Sequence, residues 1–185
     1  MSSVNILNII PKNPIAKFTD KFSFEIILEP LSQINKEIDL KMVYITSDNK
    51  ENDQILGESK ILLSNQNREK KFEFTGNAPN IYKIPENDII GAAAIILSFF
   101  YNNQEFFRCG YYLNIYYDNE EMNIKIPDKI EVNHLIRDLL ADKPRIVQYE
   151  IEWEGENGNN LNKSDEKGNL NVKEGKLEQE KLNNL

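Results

Sequence analysis

Apolar residues in this chain alternate with polar ones over short stretches punctuated by Pro, Gly, Asn and Asp, the two-residue period of β-strands. Residues 4–10 are β-branched and apolar, ending at Pro11, and 22–29 alternate up to Pro30. Further strand-like runs cover 38–45, 61–63, 71–75, 89–101, 104–117 and 145–153. The last sets Ile146, Gln148, Glu150 and Glu152 against Val147, Tyr149, Ile151 and Trp153. Seven or eight short strands with turns between them predict an all-β sandwich. Helical periodicity is sparse. Residues 133–142 gather Leu135, Ile136, Leu139 and Leu140 on one side before Pro144, which predicts one short helix, and Pro85 opens a single turn with Glu86, Asn87 and Asp88.

The run from Gln104 to Tyr117 reads as one long strand entered through Asn102-Asn103, a pair suited to a tight hairpin turn. Side chains alternate between faces, so Phe107, Cys109, Tyr111 and Leu113 share one, expected to be core. Phe106, Arg108, Gly110 and Tyr112 share the other. Tyr and Arg are favoured interface anchors, and the glycine leaves the sheet bare between them. A plain solvated strand face fits the same pattern, and both readings stand on this segment alone.

Beyond Trp153 the pattern stops. Residues 154–185 hold no aromatic and only Val172 as a β-branched residue. Such a composition buries too little apolar surface to offset ordering entropy, so 1–153 is expected to fold as one domain and 154–185 to be a disordered polar tail. The chain has 22 basic and 30 acidic residues, net −8. Seven acidic against five basic residues put −2 on the tail, leaving −6 on the domain. That balance disfavours bare nucleic acid and suits a basic protein partner.

One cysteine, Cys109, rules out an internal disulfide, and one histidine, His134, leaves too few Cys and His ligands for a zinc site. The apolar run 89–101 is too short to span a bilayer, and no basic head precedes an apolar block, so neither a membrane segment nor a signal peptide is expected. Cys109 falls on the core face, where a thiol is usually inert packing, and no nucleophile elbow or phosphate-cradling glycine loop occurs. No catalysis and no cofactor are expected.

Several segments together resemble the anti-silencing-function histone chaperone family. They are Gln104-Glu-Phe-Phe-Arg-Cys-Gly-Tyr-Tyr112, Ala78-Pro-Asn before Ile84-Pro-Glu-Asn-Asp-Ile-Ile-Gly91, Phe24-Glu-Ile, Asp53-Gln-Ile-Leu, and Leu140-Ala-Asp-Lys-Pro-Arg145 running on to Ile151-Glu-Trp153. The resemblance covers residues 4–153 in order. It implies an immunoglobulin-like β-sandwich that binds the histone H3–H4 heterodimer. Its members escort that dimer in nucleosome assembly and disassembly and cover the surface through which two dimers pair. It further implies a nuclear protein, also cytoplasmic, that is monomeric when free. A generic β-sandwich adaptor that takes basic peptides by strand addition is the alternative.

Carried over, the resemblance implies an H3 groove lined by Ile45, Ala94, Ile96, Tyr111 and Tyr112, with Asp53, Asp88, Glu105 and Arg108 as charge partners. Arg108 is expected to hold a carboxylate of the histone helix in a bidentate pair. Family members usually carry a larger β-branched residue at Ala94, and losing two methylenes from such a contact costs about 1–2 kcal/mol. The H4 tail is expected as an added strand near Leu140, Pro144, Arg145 and Val147. Glu37 and Asp39 match acidic positions for basic motifs of assembly factors, whereas Lys36 replaces an acidic residue. No histone binding is expected through the nearly balanced tail.

Overall fold

Strict alternation along two central segments builds the interior. In the computed structural model, which describes residues 2–46, 50–63 and 68–153, Phe22, Phe24, Ile26 and Leu28 point inward from Phe22–Pro30, and Ile38, Leu40, Met42 and Tyr44 from Ile38–Ile45. The tail expected at 154–185 lies outside the described residues. In chain order the strands are β1 (Val4–Pro11), β2 (Ile15–Lys17), β3 (Phe22–Pro30), β4 (Ile38–Ile45) and β5 (Gln54–Ile61). They continue as β6 (Lys70–Gly76), β7 (Gly91–Tyr101), β8 (Gln104–Tyr117), β9 (Leu135–Leu139) and β10 (Arg145–Gln148), with a single α-helix among the described residues, α1 (Glu120–Ile124).

The strands form two sheets. One runs β1-β3-β6; the other runs β2-β9-β8-β7-β4-β5, with β10 also paired to β8. Their inner faces meet in one apolar core, where Phe24 of the smaller sheet lies 5.7 Å from Tyr111 of the larger, ring to ring. The result is an all-β sandwich, as the strand pattern predicts. At one side the layers nearly touch: a Cβ on Gly57 of β5 would lie 2.8 Å from the Thr75 carbonyl oxygen, and one on Gly76 would strike the Met42 sulfur.

Several elements differ from the sequence reading, among them the short strand β2, which it did not mark. The helix expected over 133–142 is a turn at Val132–His134 followed by strand β9, with Leu135, Arg137 and Leu139 buried. Arg137 hid that alternation. Its guanidinium is buried over the Phe22 ring at 3.8 Å and donates to the Asn13 and Lys21 carbonyls, which tie the β2 loop to β9. The run expected at 61–63 is only the end of β5: Leu62 is exposed and Leu63 buried. β10 stops at Gln148, although Tyr149 N still donates to the Phe106 carbonyl at 2.9 Å. Phe106, read as outward, is buried at 5.1 Å from the Trp153 ring, which also stacks on Tyr101.

Two local expectations hold. Asn102 and Asn103 turn β7 into β8 with φ of 50° and 61°, a left-handed conformation that asparagine tolerates. Pro85 caps the turn at Glu86–Asp88. The helix α1, which the pattern did not show, starts where Asn119 Oδ1 accepts from Glu121 N at 2.8 Å.

Gly57→Ala is expected to cost about 1–3 kcal/mol in urea unfolding, since the carbonyl it would meet belongs to the backbone of the other layer. Gly110→Ala, whose Cβ would meet nothing closer than 3.9 Å, is expected to stay within about 1 kcal/mol of the parent. Equal effects would remove the close-approach argument.

Candidate functional site

Antiparallel partners project to the same side of a sheet, so register alone lays out the outer face of the larger layer as rows. One row is Ile45–Ala94–Tyr112, from β4, β7 and β8. The next is Ile55–Val43–Ile96–Gly110–Arg145, from β5 across to β10. Then comes Glu58–Lys41–Ser98–Arg108–Val147, and beyond it Lys60–Asp39–Phe100–Glu105. The first two rows are apolar up to the glycine and the last two are mostly charged. Tyr112 is 49% exposed and Ile55 56%, large apolar surfaces turned to water.

Charge brackets the apolar rows. Asp53 precedes β5 and Asp88 sits in the turn before β7, both half-buried, at the end of the sheet where β4 finishes. At the other boundary Arg108 Nε and Nη2 donate to Glu105 Oε1 and Oε2 at 2.8 and 2.5 Å. The guanidinium also lies 5.7 Å from the Tyr149 ring centroid. The Glu105 carboxylate raises the Arg108 pKa further. The Nε–Nη2 fork of Arg108 is thus engaged by Glu105 of the same chain, where the sequence reading expected it to hold a partner's carboxylate.

Tyr111 is corrected as well. It is 2% exposed on the core face, with its hydroxyl donating to the Ile9 carbonyl at 3.0 Å, so a surface partner cannot reach it. Ile45, Ala94, Ile96 and Tyr112 do come together, and Val43 and Ile55 join them although the sequence reading omitted both. Their signal lies in β4, whose outward residues pass from Asp39 and Lys41 to Val43 and Ile45. A solvated strand has no reason to make that change.

The second group lies along one margin. Leu140 N donates to the Tyr112 carbonyl at 2.9 Å, Pro144 precedes β10, and Arg145 and Val147 stand opposite Gly110 and Arg108. Among the described residues β10 pairs only with β8, so its other edge is open. The third group is partly occupied by its own chain. Lys60 Nζ lies 3.1 Å from Asp39 and 3.9 Å from Glu37, and Lys36 Nζ donates to Asn102 at 2.9 Å.

The candidate reactive groups are packed or surface-paired. His134 is exposed, with Nδ1 3.0 Å from Asp118 Oδ1. Burial pushes the Cys109 thiol up to about 11, and pushes the Tyr44 and Tyr111 hydroxyls well above the usual tyrosine range. A neutral thiol is neither nucleophile nor metal ligand.

The family model described as "ASF1 like histone chaperone" matches residues 1–154. The chain is 38% identical over 158 residues to "Histone chaperone ASF1" of Candida glabrata, covering 85% of this chain and 52% of that one. It is 39% identical over 162 residues to the protein of that name from Gibberella zeae, covering 84% and 56%. With its Saccharomyces cerevisiae counterpart it shares 36% over 162 residues, covering 87% and 58%. The chain thus spans between half and three fifths of the length of these relatives.

The raised thiol sets a direction for pH. A folded pKa above the ordinary 9.0 means the stabilisation is complete below 9.0 and is lost as pH climbs through about 11. The urea midpoint is expected to fall over that interval, and Cys109→Ala to flatten the fall; an identical pH profile for the variant would contradict the assignment.

Proposed function

Because the chain belongs to the ASF1 like histone chaperone family, we propose that it is a non-enzymatic chaperone binding the histone H3–H4 heterodimer. In this reading it escorts the dimer in nucleosome assembly and disassembly and covers the surface through which two dimers would pair. It acts in the nucleus, is also present in the cytoplasm, and is a monomer when free. The observation that carries the reading is the pair of apolar rows on an otherwise polar outer face, bracketed by charge.

Those rows favour a helix laid across the strands. They run over four strands, about 14 Å at the usual inter-strand spacing, but occupy only two outward positions along each strand, about 7 Å. A helix rises 1.5 Å per residue, so roughly ten residues, three turns, cover that length. Ile45, Ala94, Ile96 and Tyr112 receive its apolar side together with Val43 and Ile55, whose area offsets what the small Ala94 gives up. Asp53 and Asp88 meet basic side chains of the histone at one end. The Arg108–Glu105 pair offers both signs at the other.

The open edge of β10 supports strand addition by the H4 tail near Leu140, Pro144, Arg145 and Val147, a mode in which backbone hydrogen bonds supply most of the affinity. The same edge would serve a generic adaptor. What favours the chaperone is the apolar face beside it, for which strand addition has no use.

Ala94→Arg is expected to abolish a 1:1 complex with H3–H4 in a pull-down while circular dichroism stays unchanged, because it places a charge in the middle of the apolar rows. Ile55→Asp is expected to weaken binding at least tenfold. Full binding by a folded Ala94→Arg protein would refute the groove.

A further inference from the structure

β4 lies between β5 and β7, so the chain that first follows β5 and then enters β7 has to pass the end of β4 where the apolar rows finish. It is anchored on the way. Asn77 N donates to the Leu56 carbonyl at 2.8 Å. Asn80 and Gln54 exchange two bonds, Asn80 N donating to Gln54 Oε1 at 2.7 Å and Gln54 Nε2 to the Asn80 carbonyl at 3.0 Å. Two short turns follow, Ile81–Lys83 and Glu86–Asp88, pinned by buried Ile84 and Ile89. Asn80 Oδ1 caps the first by accepting from Tyr82 N at 3.0 Å. On this fixed frame Tyr82 is 95% exposed, against 49% for Tyr112 in the groove. Its own chain leaves the ring bare.

The anchor places that ring. Gln54 follows Asp53 directly, and the second turn ends at Asp88, so Tyr82 stands along the sheet end between the two carboxylates that close the apolar rows. In these segments Glu51, Asp53, Glu86 and Asp88 outnumber Lys50 and Lys83, which makes the margin acidic. We propose that Tyr82 is a further histone-binding residue, its ring completing with Asp53 a site for an arginine of the guest. The proposal rests on the H3–H4 reading of the apolar rows and extends it past their end. A guanidinium can lie flat on the phenol while its N–H edge donates to the carboxylate; a lysine ammonium, compact and strongly hydrated, gains less from such a pairing. Because the turn is already anchored, little backbone freedom is lost on binding.

Calorimetric titration of H3–H4 into the full chain tests this. Tyr82→Ala is expected to weaken binding about three- to tenfold, and Tyr82→Phe to stay within about twofold of the parent. Tyr82→Leu is expected to resemble Tyr82→Ala, because leucine restores apolar area without a π face. The urea midpoints of all three are expected to match the parent's, since an exposed side chain on an anchored turn holds nothing together. In an Asp53→Asn background the loss on Tyr82→Ala is expected to shrink, the mark of one cation shared by both groups. Parent-like affinity of Tyr82→Ala, or losses that simply multiply in the double variant, would overturn the proposal. Ala94→Arg run in parallel keeps the two readings apart. If it abolishes the complex while Tyr82→Ala binds as the parent does, the groove stands and the Tyr82 site falls; full binding by Ala94→Arg removes both.

Discussion

The register of β7 against β8 is the constraint from which the outer face follows. The two strands pair from Gly91↔Ile115 to Tyr101↔Gln104, interrupted by a single irregularity between Phe99 and Phe100. Asn102 and Asn103 set that pairing, because a two-residue turn with both φ angles positive leaves the strands no freedom to slide. A slip of one residue would turn Arg108 and Tyr112 into the core and put Cys109 and Tyr111 in water. The buried alternatives on the other side, Phe107, Cys109, Tyr111 and Leu113, make such a slip costly: each large apolar side chain brought into water loses about 1.5–3 kcal/mol. Core packing and surface chemistry are therefore two sides of one pairing.

Because β8 is long, it carries neighbours in two halves along one edge. Gly110 back to Phe107 pairs with β10, while Leu113 to Tyr117 pairs with β9. The chain between those two strands includes Leu140 and Pro144, which accordingly sit at the junction beside Tyr112. This brings the open edge of β10 against the apolar rows. A partner with both a helix and an extended tail can use face and edge together, and two linked contacts reinforce each other through their high effective concentration.

Several charges on this molecule are engaged by the molecule itself. Arg108 holds Glu105, Lys60 holds Asp39, Glu25 is shared by Lys12 and Lys71, and buried Arg137 is spent on loop carbonyls over Phe22. Net negative charge still steers a basic partner at a distance.

The sequence by itself determined most of the strands, the hairpin turn and the division of β8 into a core face and an Arg–Gly–Tyr face, because side-chain direction in a strand depends only on parity. It also carried the family, through short motifs spaced over the whole domain. It misread β9, since a buried arginine breaks the apolar alternation that would mark a strand, and burying the Arg137 cation requires Phe22 and two loop carbonyls from more than a hundred residues away in the chain. It placed Tyr111 in the groove although parity already assigned it to the core. Tertiary structure alone decided that Ile55 and Val43 line up with Ile96, that Glu105 occupies the fork of Arg108, and that Lys60 reaches Asp39. Each of these is a contact between strands, fixed by register and by which strand lies beside which, and neither quantity is encoded in the local pattern of any one segment.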